Sequence, residues 1–233
     1  MRTYAIIPSG GIGKRLNSSL PKQYVKINGK ELIAYTLEIF QKCKLIDEII
    51  ISAQPEFFSL LEEIKSTFNI SKLSKIVEGG TERQDSVFNA LKSIDASDSD
   101  IIAVHDAARP LLPNKVLEAA LLTAKKFDNV IVATKTTDTL ISGEKFVNGY
   151  LDRNSTFHVQ TPQISKYKIL LDAMKSAYDD NFIGTDESIL LYRTSNKIKI
   201  LEGSSLNFKV TTQSDLNLFK IISDIETVWF NNY

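Results

Sequence analysis

Short aliphatic runs alternate along this chain with longer stretches in which apolar residues recur every three or four positions. Tyr4-Ala5-Ile6-Ile7 is the first run, and a glycine-rich segment follows it. Leu32, Ile33, Thr36, Leu37 and Phe40 then keep helical spacing. Glu48-Ile49-Ile50-Ile51 predicts a second strand and residues 57–68 a helix. Lys75-Ile76-Val77 predicts a third strand ending in Glu78-Gly79-Gly80, with a helix over 83–92. Ile101-Ile102-Ala103-Val104 is the fourth run. Val116, Leu117, Ala120, Leu121, Ala124 and Phe127 mark an amphipathic helix with Pro113 near its first turn, and residues 129–133 a fifth strand. This alternation predicts an α/β fold, a Rossmann-like, mostly parallel sheet with helices on both faces.

The rhythm fails between residues 135 and 157. That stretch is Thr-rich, carries the turn pairs Ser142-Gly143 and Asn148-Gly149, and has no helical period. It predicts a protruding β-hairpin arm. Helical spacing resumes with Tyr167, Leu170, Leu171 and Met174, and again over 186–192. A strand over 197–201, a short strand at Phe208-Lys209-Val210 and a helix from about Asp215 complete the pattern. No repeat or linker divides the chain, so residues 1–233 read as one domain.

Composition narrows the functions open to such a fold. Lys plus Arg equals Asp plus Glu at 28 each, so no global field favours nucleic acid or an anionic membrane. Any anion site must be a local cluster. The single cysteine, Cys43, excludes an intrachain disulfide, and with only two histidines, His105 and His158, the usual Cys/His zinc site lacks ligands. The first residues lack the apolar stretch and cleavage site of a signal peptide, and a cytoplasmic protein is expected.

Ligands of open α/β sheets bind beyond the carboxyl ends of the strands. The first such segment is Pro8-Ser9-Gly10-Gly11-Ile12-Gly13-Lys14-Arg15-Leu16. Its glycines let the backbone approach phosphate oxygens closely. Walker spacing is absent, and Leu16 stands where the last glycine of a dinucleotide fingerprint would be, which counts against an NAD-dependent dehydrogenase. Lys14, Arg15 and, in Pro21-Lys22-Gln23-Tyr24, Lys22 instead supply cations suited to a triphosphate.

After the fourth strand comes His105-Asp106-Ala107-Ala108-Arg109-Pro110, where Asp106 suits a ribose hydroxyl or a magnesium ion. A turn-capping Asp106 paired with Arg109 is the bland alternative. After the third, Thr81 and Gln84 have capping-box spacing, and the glycines before them suit close approach to a base. Thr185-Asp186-Glu187-Ser188 is an ordinary helix start. Both histidines read as structural.

Together these segments resemble the 2-C-methyl-D-erythritol 4-phosphate cytidylyltransferase family over nearly the whole chain. The resemblance rests on the loop with Arg15, Pro-Lys-Gln-Tyr at 21–24, Gly-Gly-x-x-Arg-Gln at 79–84, His-Asp-Ala-Ala-Arg-Pro at 105–110, Gln-Thr-Pro-Gln at 160–163, Thr-Asp-Glu at 185–187 and Lys-Val-Thr at 209–211, in the family's order. It implies that Arg15, Lys22 and Lys209 hold the CTP phosphates as the catalytic set. Ser9, Gly10, Gly11, Gly13, Gly80, Thr81, Ser86 and Asp106 would contact the nucleotide. Asp106, Arg109, Asp138, Thr139, Arg153, Thr161 and Thr185 would bind the polyol phosphate.

The resemblance further implies Mg²⁺ held mainly by the CTP phosphates, with Asp106 as a further ligand. It also implies a homodimer in which the arm carries Thr139 and Arg153 to the partner's site. Two departures stand out. The loop begins Pro-Ser-Gly-Gly where the family usually has Pro-Ala-Ala-Gly, and Thr134-Lys135-Thr136-Thr137 replaces a frequent Pro-Val before Asp138-Thr139. The second bears on the acceptor, so ribitol-5-phosphate cytidylyltransferase is the nearest alternative. A non-catalytic nucleotide-binding regulator is the alternative from another class.

Overall fold

The computed structural model describes residues 1–11 and 20–229. In chain order the elements are β1 (Thr3–Pro8), β2 (Lys26–Ile27), β3 (Lys30–Glu31), α1 (Leu32–Lys42), β4 (Glu48–Ala53), α2 (Phe58–Thr67), β5 (Leu73–Glu78), α3 (Arg83–Ser93), β6 (Ile101–Val104), α4 (Asn114–Phe127), β7 (Val130–Lys135), β8 (Ile141–Gly143), β9 (Val147–Tyr150), β10 (Phe157–Lys166), α5 (Tyr167–Asp179), α6 (Glu187–Arg193), β11 (Lys199–Glu202) and α7 (Gln213–Trp229).

A 7-stranded sheet has the order β11-β7-β10-β6-β1-β4-β5. Every neighbouring pair is parallel except those of β10, which runs antiparallel to β6 and β7. The sheet is therefore mostly parallel with one reversed strand. Periodicity did not announce β10, because its centre, Gln160-Thr161-Pro162-Gln163, is polar and holds a proline. There the register with β7 shifts and the Thr161–Pro162 peptide is cis.

β1 lies inside the sheet, with Ala5 paired to Ile49 on one side and Ala103 on the other. Its alternating side chains feed two layers. Ala5 and Ile7 pack with Leu37 and Phe40 of α1, Leu61 of α2 and Leu117 of α4. Tyr4 and Ile6 pack with Val87 of α3, Met174 of α5 and Leu190 of α6. Burial on both faces explains why these strands read as unbroken apolar runs. Each fully buried aliphatic side chain contributes roughly 1.5–3 kcal/mol, so the sheet is a firm base for what its edge carries.

A third cluster of Leu32, Leu111, Val210 and Phe219 fastens α7 over the end of β6. Residues 208–210, expected as a short strand, belong to no strand. The Val210 N–H donates to the Ala108 carbonyl at 2.9 Å, and no strand partner is needed to fix the segment. The arm is present as the β8-β9 hairpin. Its turn falls at residues 144–146, and Asn148-Gly149, expected as a turn pair, lies within β9. Phe146 is 84% exposed and Tyr150 73%. Among the described residues no helix is long and apolar enough to cross a membrane.

Candidate active site

Beyond Pro8 the chain turns across the carboxyl edge of the sheet. The Ser9 N–H still bonds the Ser52 carbonyl at 2.7 Å, extending the β1–β4 pairing by one step. The Gln23 amide donates to the carbonyls of Ser9 (2.7 Å) and Gly11 (3.0 Å), and that of Gln54 to the carbonyl of Gly10. The Ser9 hydroxyl meets the Tyr24 phenol at 2.9 Å. Burial pushes that phenol up to about pKa 12, so it stays protonated. Successive carbonyls of the loop are thus held by side chains before any ligand arrives. Gly13 and Arg15 lie outside the described residues.

β5 delivers Gly79 and Gly80 to the same edge. A Cβ on Gly80 would stand 2.1 Å from the Asp85 Cβ, so only glycine lets the first turn of α3 come this close. That helix is capped by Glu82 with Asp85, not by Thr81 with Gln84 as the spacing suggested. Gln84 is spent elsewhere: its amide donates to the Phe182 carbonyl at 3.2 Å and accepts from the Gly184 N–H at 2.7 Å. Ser86 Oγ accepts from the Gly80 N–H at 3.0 Å.

The turn after β6 carries the charged centre. Asp106 Oδ1 receives Arg83 Nε at 3.2 Å, while Oδ2 receives Lys209 Nζ at 3.0 Å and Arg109 Nε at 3.3 Å. Burial would raise the Asp106 pKa, but Arg83, Lys209 and Arg109 overcome it and hold the carboxyl well below the usual carboxylate range. Arg83 also forms a two-pronged pair with Glu187, Nη1–Oε1 at 2.6 Å and Nη2–Oε2 at 3.1 Å. Burial disfavours its charge, yet the carboxylates of Glu187 and Asp106 prevail and raise its pKa. Lys22 Nζ donates to the Val210 carbonyl at 2.7 Å, beside Lys209.

Behind this centre a hydrogen-bonded chain locks the turn. The Asp106 N–H donates to Thr161 Oγ1 (3.1 Å), which lies 3.0 Å from His105 Nδ1. His105 Nε2 is 3.1 Å from the Arg109 carbonyl, an acceptor only, so Nε2 carries the proton and Nδ1 accepts from Thr161. Burial lowers the His105 pKa to about 4, keeping the ring neutral. Arg109 Nη1 donates to the Asn207 carbonyl at 2.7 Å, and the Asn207 amide donates to the Thr161 carbonyl at 2.8 Å.

A cleft of about 320 Å³ opens between these segments. Ser9, Gly10, Gly11, Lys22, Gly80, Thr81, Ser86, Asp106 and Lys209 all line it. Arg109 adjoins through Asp106. Thr161 is buried beneath the cleft with its hydroxyl committed to the turn, and Thr185 is exposed just ahead of α6. Asp138, Thr139 and Arg153 are exposed at the base of the arm and do not line the cleft. Arg83 and Glu187 were not singled out from the sequence. Their only signal was membership of Gly-Gly-x-x-Arg-Gln and Thr-Asp-Glu. Among the described residues no group of three His, Cys, Asp or Glu could hold a metal.

A glycine-lined backbone and cations that converge from separate elements suit a phosphate-rich ligand. This cleft offers both at the carboxyl edge of a Rossmann-like sheet, and the class it defines is a nucleotidyltransferase of α/β fold. The chain belongs to the 2-C-methyl-D-erythritol 4-phosphate cytidylyltransferase family, whose model matches residues 3–224.

Relatives of that name include those of Clostridioides difficile, 36% identical over 95% of this chain and 93% of the relative, and Clostridium perfringens, 38% identical over 93% and 96%. Among solved structures, the 2-C-methyl-D-erythritol 4-phosphate cytidylyltransferase of Francisella tularensis superposes with a TM-score of 0.80 at 30% identity, covering 95% of this chain and 99% of that one. The 4-diphosphocytidyl-2C-methyl-D-erythritol synthase of Anaerococcus prevotii gives 0.84 at 26% identity and covers 96% of each.

Proposed function

We propose that this chain transfers the cytidylyl group of CTP to 2-C-methyl-D-erythritol 4-phosphate, giving 4-diphosphocytidyl-2-C-methylerythritol and pyrophosphate. The observation that carries this reading is the set of Arg83, Arg109 and Lys209 around Asp106, with Lys22 on the same glycine-lined cleft, in a member of this family.

An oxygen of the acceptor phosphate attacks the α-phosphorus of CTP. The bond from that phosphorus to the bridging oxygen breaks, and pyrophosphate leaves with the electron pair. A phosphate monoester dianion is already nucleophilic at neutral pH, so no general base is required. The protein's contribution is orientation and stabilisation of charge. Lys22 and Lys209, joined by Arg15 of the loop, hold the phosphates. Ser9, Gly10, Gly11, Gly80, Thr81 and Ser86 receive the nucleoside, and Asp106 and Arg109 stand between ribose and acceptor.

Mg²⁺ fits as an ion carried by the triphosphate, because Asp106 already shares its oxygens among three cations and no trio of ligands stands beside it among the described residues. When bound, it would offset charge on the departing pyrophosphate.

A homodimer completes the acceptor half. Asp138, Thr139 and Arg153 lie off the cleft, and the arm shows Ile141, Phe146 and Tyr150 to solvent. An isolated two-stranded hairpin is marginal in water, so packing against a second copy would both cover these side chains and deliver Thr139 and Arg153 to the partner's acceptor. The test is pyrophosphate release from CTP and Mg²⁺ with 2-C-methylerythritol 4-phosphate and ribitol 5-phosphate in parallel. Turnover with the first is expected. Turnover with ribitol 5-phosphate alone would overturn the acceptor assignment.

A further inference from the structure

Arg83 lines the cleft and carries a charge, so it invites assignment as one more phosphate ligand. Its geometry argues otherwise. Three of its N–H groups are already directed at carboxylates on two sides: Nε at Asp106 Oδ1, Nη1 and Nη2 at the two oxygens of Glu187. A guanidinium held on both edges is fixed in plane and cannot swing toward an incoming anion without breaking charge-assisted bonds. Glu187, whose side chain is only 3% exposed, does not itself line the cleft. A carboxylate so buried is tolerated only with a partner of this quality.

The three groups come from three elements: the first residue of α3, the turn after β6 and the first residue of α6. Asp106 divides its oxygens unequally, with Arg83 on Oδ1 and both Lys209 and Arg109 on Oδ2. Without Arg83 nothing in this set opposes rotation of the carboxylate toward its two other cations, and Lys209 would move with it.

We propose that Arg83 and Glu187 are positioning residues whose two-pronged ion pair holds the Asp106 carboxylate, and through it Lys209, in the orientation that transfer requires. The inference rests on the proposed reaction and concerns residues that would not touch the substrates' reacting atoms. Its consequence is a split between binding and turnover. Nucleotide affinity is spread over the loop, Lys22 and the nucleoside contacts, so a displaced Lys209 costs it little, whereas a displacement of about 1 Å in a positioned group can lower turnover on the order of a hundredfold.

The experiment compares Glu187→Gln, Arg83→Lys and the double variant Arg83→Met with Glu187→Met, measuring kcat, CTP affinity by calorimetry and Tm. In Glu187→Gln and Arg83→Lys, kcat falls roughly 10- to 100-fold while CTP affinity stays within about threefold of wild type. Arg83→Lys keeps the charge but not the fork, so it does not rescue. In the double variant Tm returns toward the wild-type value, since an apolar pair can replace a buried ion pair, yet kcat stays low. Near wild-type kcat in Arg83→Lys or in the double variant would reduce the pair to a structural contact and overturn the inference. Should the double variant fail to fold, the single variants decide. Should wild type itself release no pyrophosphate with this acceptor, the proposed reaction fails separately. Crystals of Glu187→Gln then decide: a rotated Asp106 carboxylate supports the positioning role and an unmoved one overturns it.

Discussion

Asp106 in the cleft and Arg153 at the base of the arm were both expected at the acceptor, yet they occupy contrasting surroundings. Asp106 is 7% exposed and bonded to cations from α3, from its own turn and from the segment before α7. Arg153 is exposed, in a region where Ile141, Phe146 and Tyr150 also face outward. Among the described residues, the side chains of the cleft are bonded to one another within one chain, so their geometry is set by one folding event. Asp138, Thr139 and Arg153, expected at the acceptor but outside the cleft, sit at the base of a hairpin that one copy of the chain leaves uncovered. Binding of CTP and binding of the acceptor should therefore respond differently to perturbation.

The largest separation is expected from the cations of the cleft. Lys209→Ala and Lys22→Ala should each lower turnover on the order of a hundredfold or more in a pyrophosphate-release assay. Near wild-type rates would remove the cleft from the chemistry.

Acid should distinguish the regions next. His105 is buried neutral with its pKa lowered from 6.5 to about 4. The unfolded chain then binds more protons, so stability falls as pH drops from about 6.5 through about 4, by roughly 3 kcal/mol in all. The depressed Asp106 pKa extends the loss below the ordinary carboxylate range. Denaturant titrations at pH 7, 5 and 4 measure this loss, and a His105→Gln variant that kept the full wild-type slope over that range would contradict the assignment.

A smaller cost is expected from Gly80→Ala, whose methyl would meet Asp85 and destabilise the chain by about 1–3 kcal/mol. An unchanged Tm would show that the loop before α3 is free to yield. Smallest is Arg153→Ala, with about a tenfold rise in acceptor KM, as for loss of one charged hydrogen bond, and no change in CTP affinity. An equal loss of CTP affinity would collapse the distinction between cleft and arm.

Much of this was legible in the chain. The unbroken apolar runs of β1, β4 and β6 announced strands covered on both faces, and the glycine-rich segments after β1 and β5 lie where ligands of such sheets bind. The break after β7 announced the hairpin. β10 was hidden because its side chains serve specific hydrogen bonds: Gln163 Oε1 accepts from the Ser188 N–H at 2.7 Å and Thr161 holds the Asp106 turn. Gln23 and Gln54 escaped notice as the loop's supports, since a glutamine's partners leave no periodic trace.

The amino-acid sequence by itself determined the layers of the fold, because burial and periodicity are read locally, and it determined which segments reach the ligand edge. The tertiary structure alone decided which charges meet there. Arg83 and Glu187 are 104 positions apart, and Lys209 meets Asp106 from a segment whose next residue, Val210, is bonded to Ala108. Electrostatic pairing depends on distance and desolvation, and those exist for residues so far apart only once the sheet has brought its carboxyl edge together.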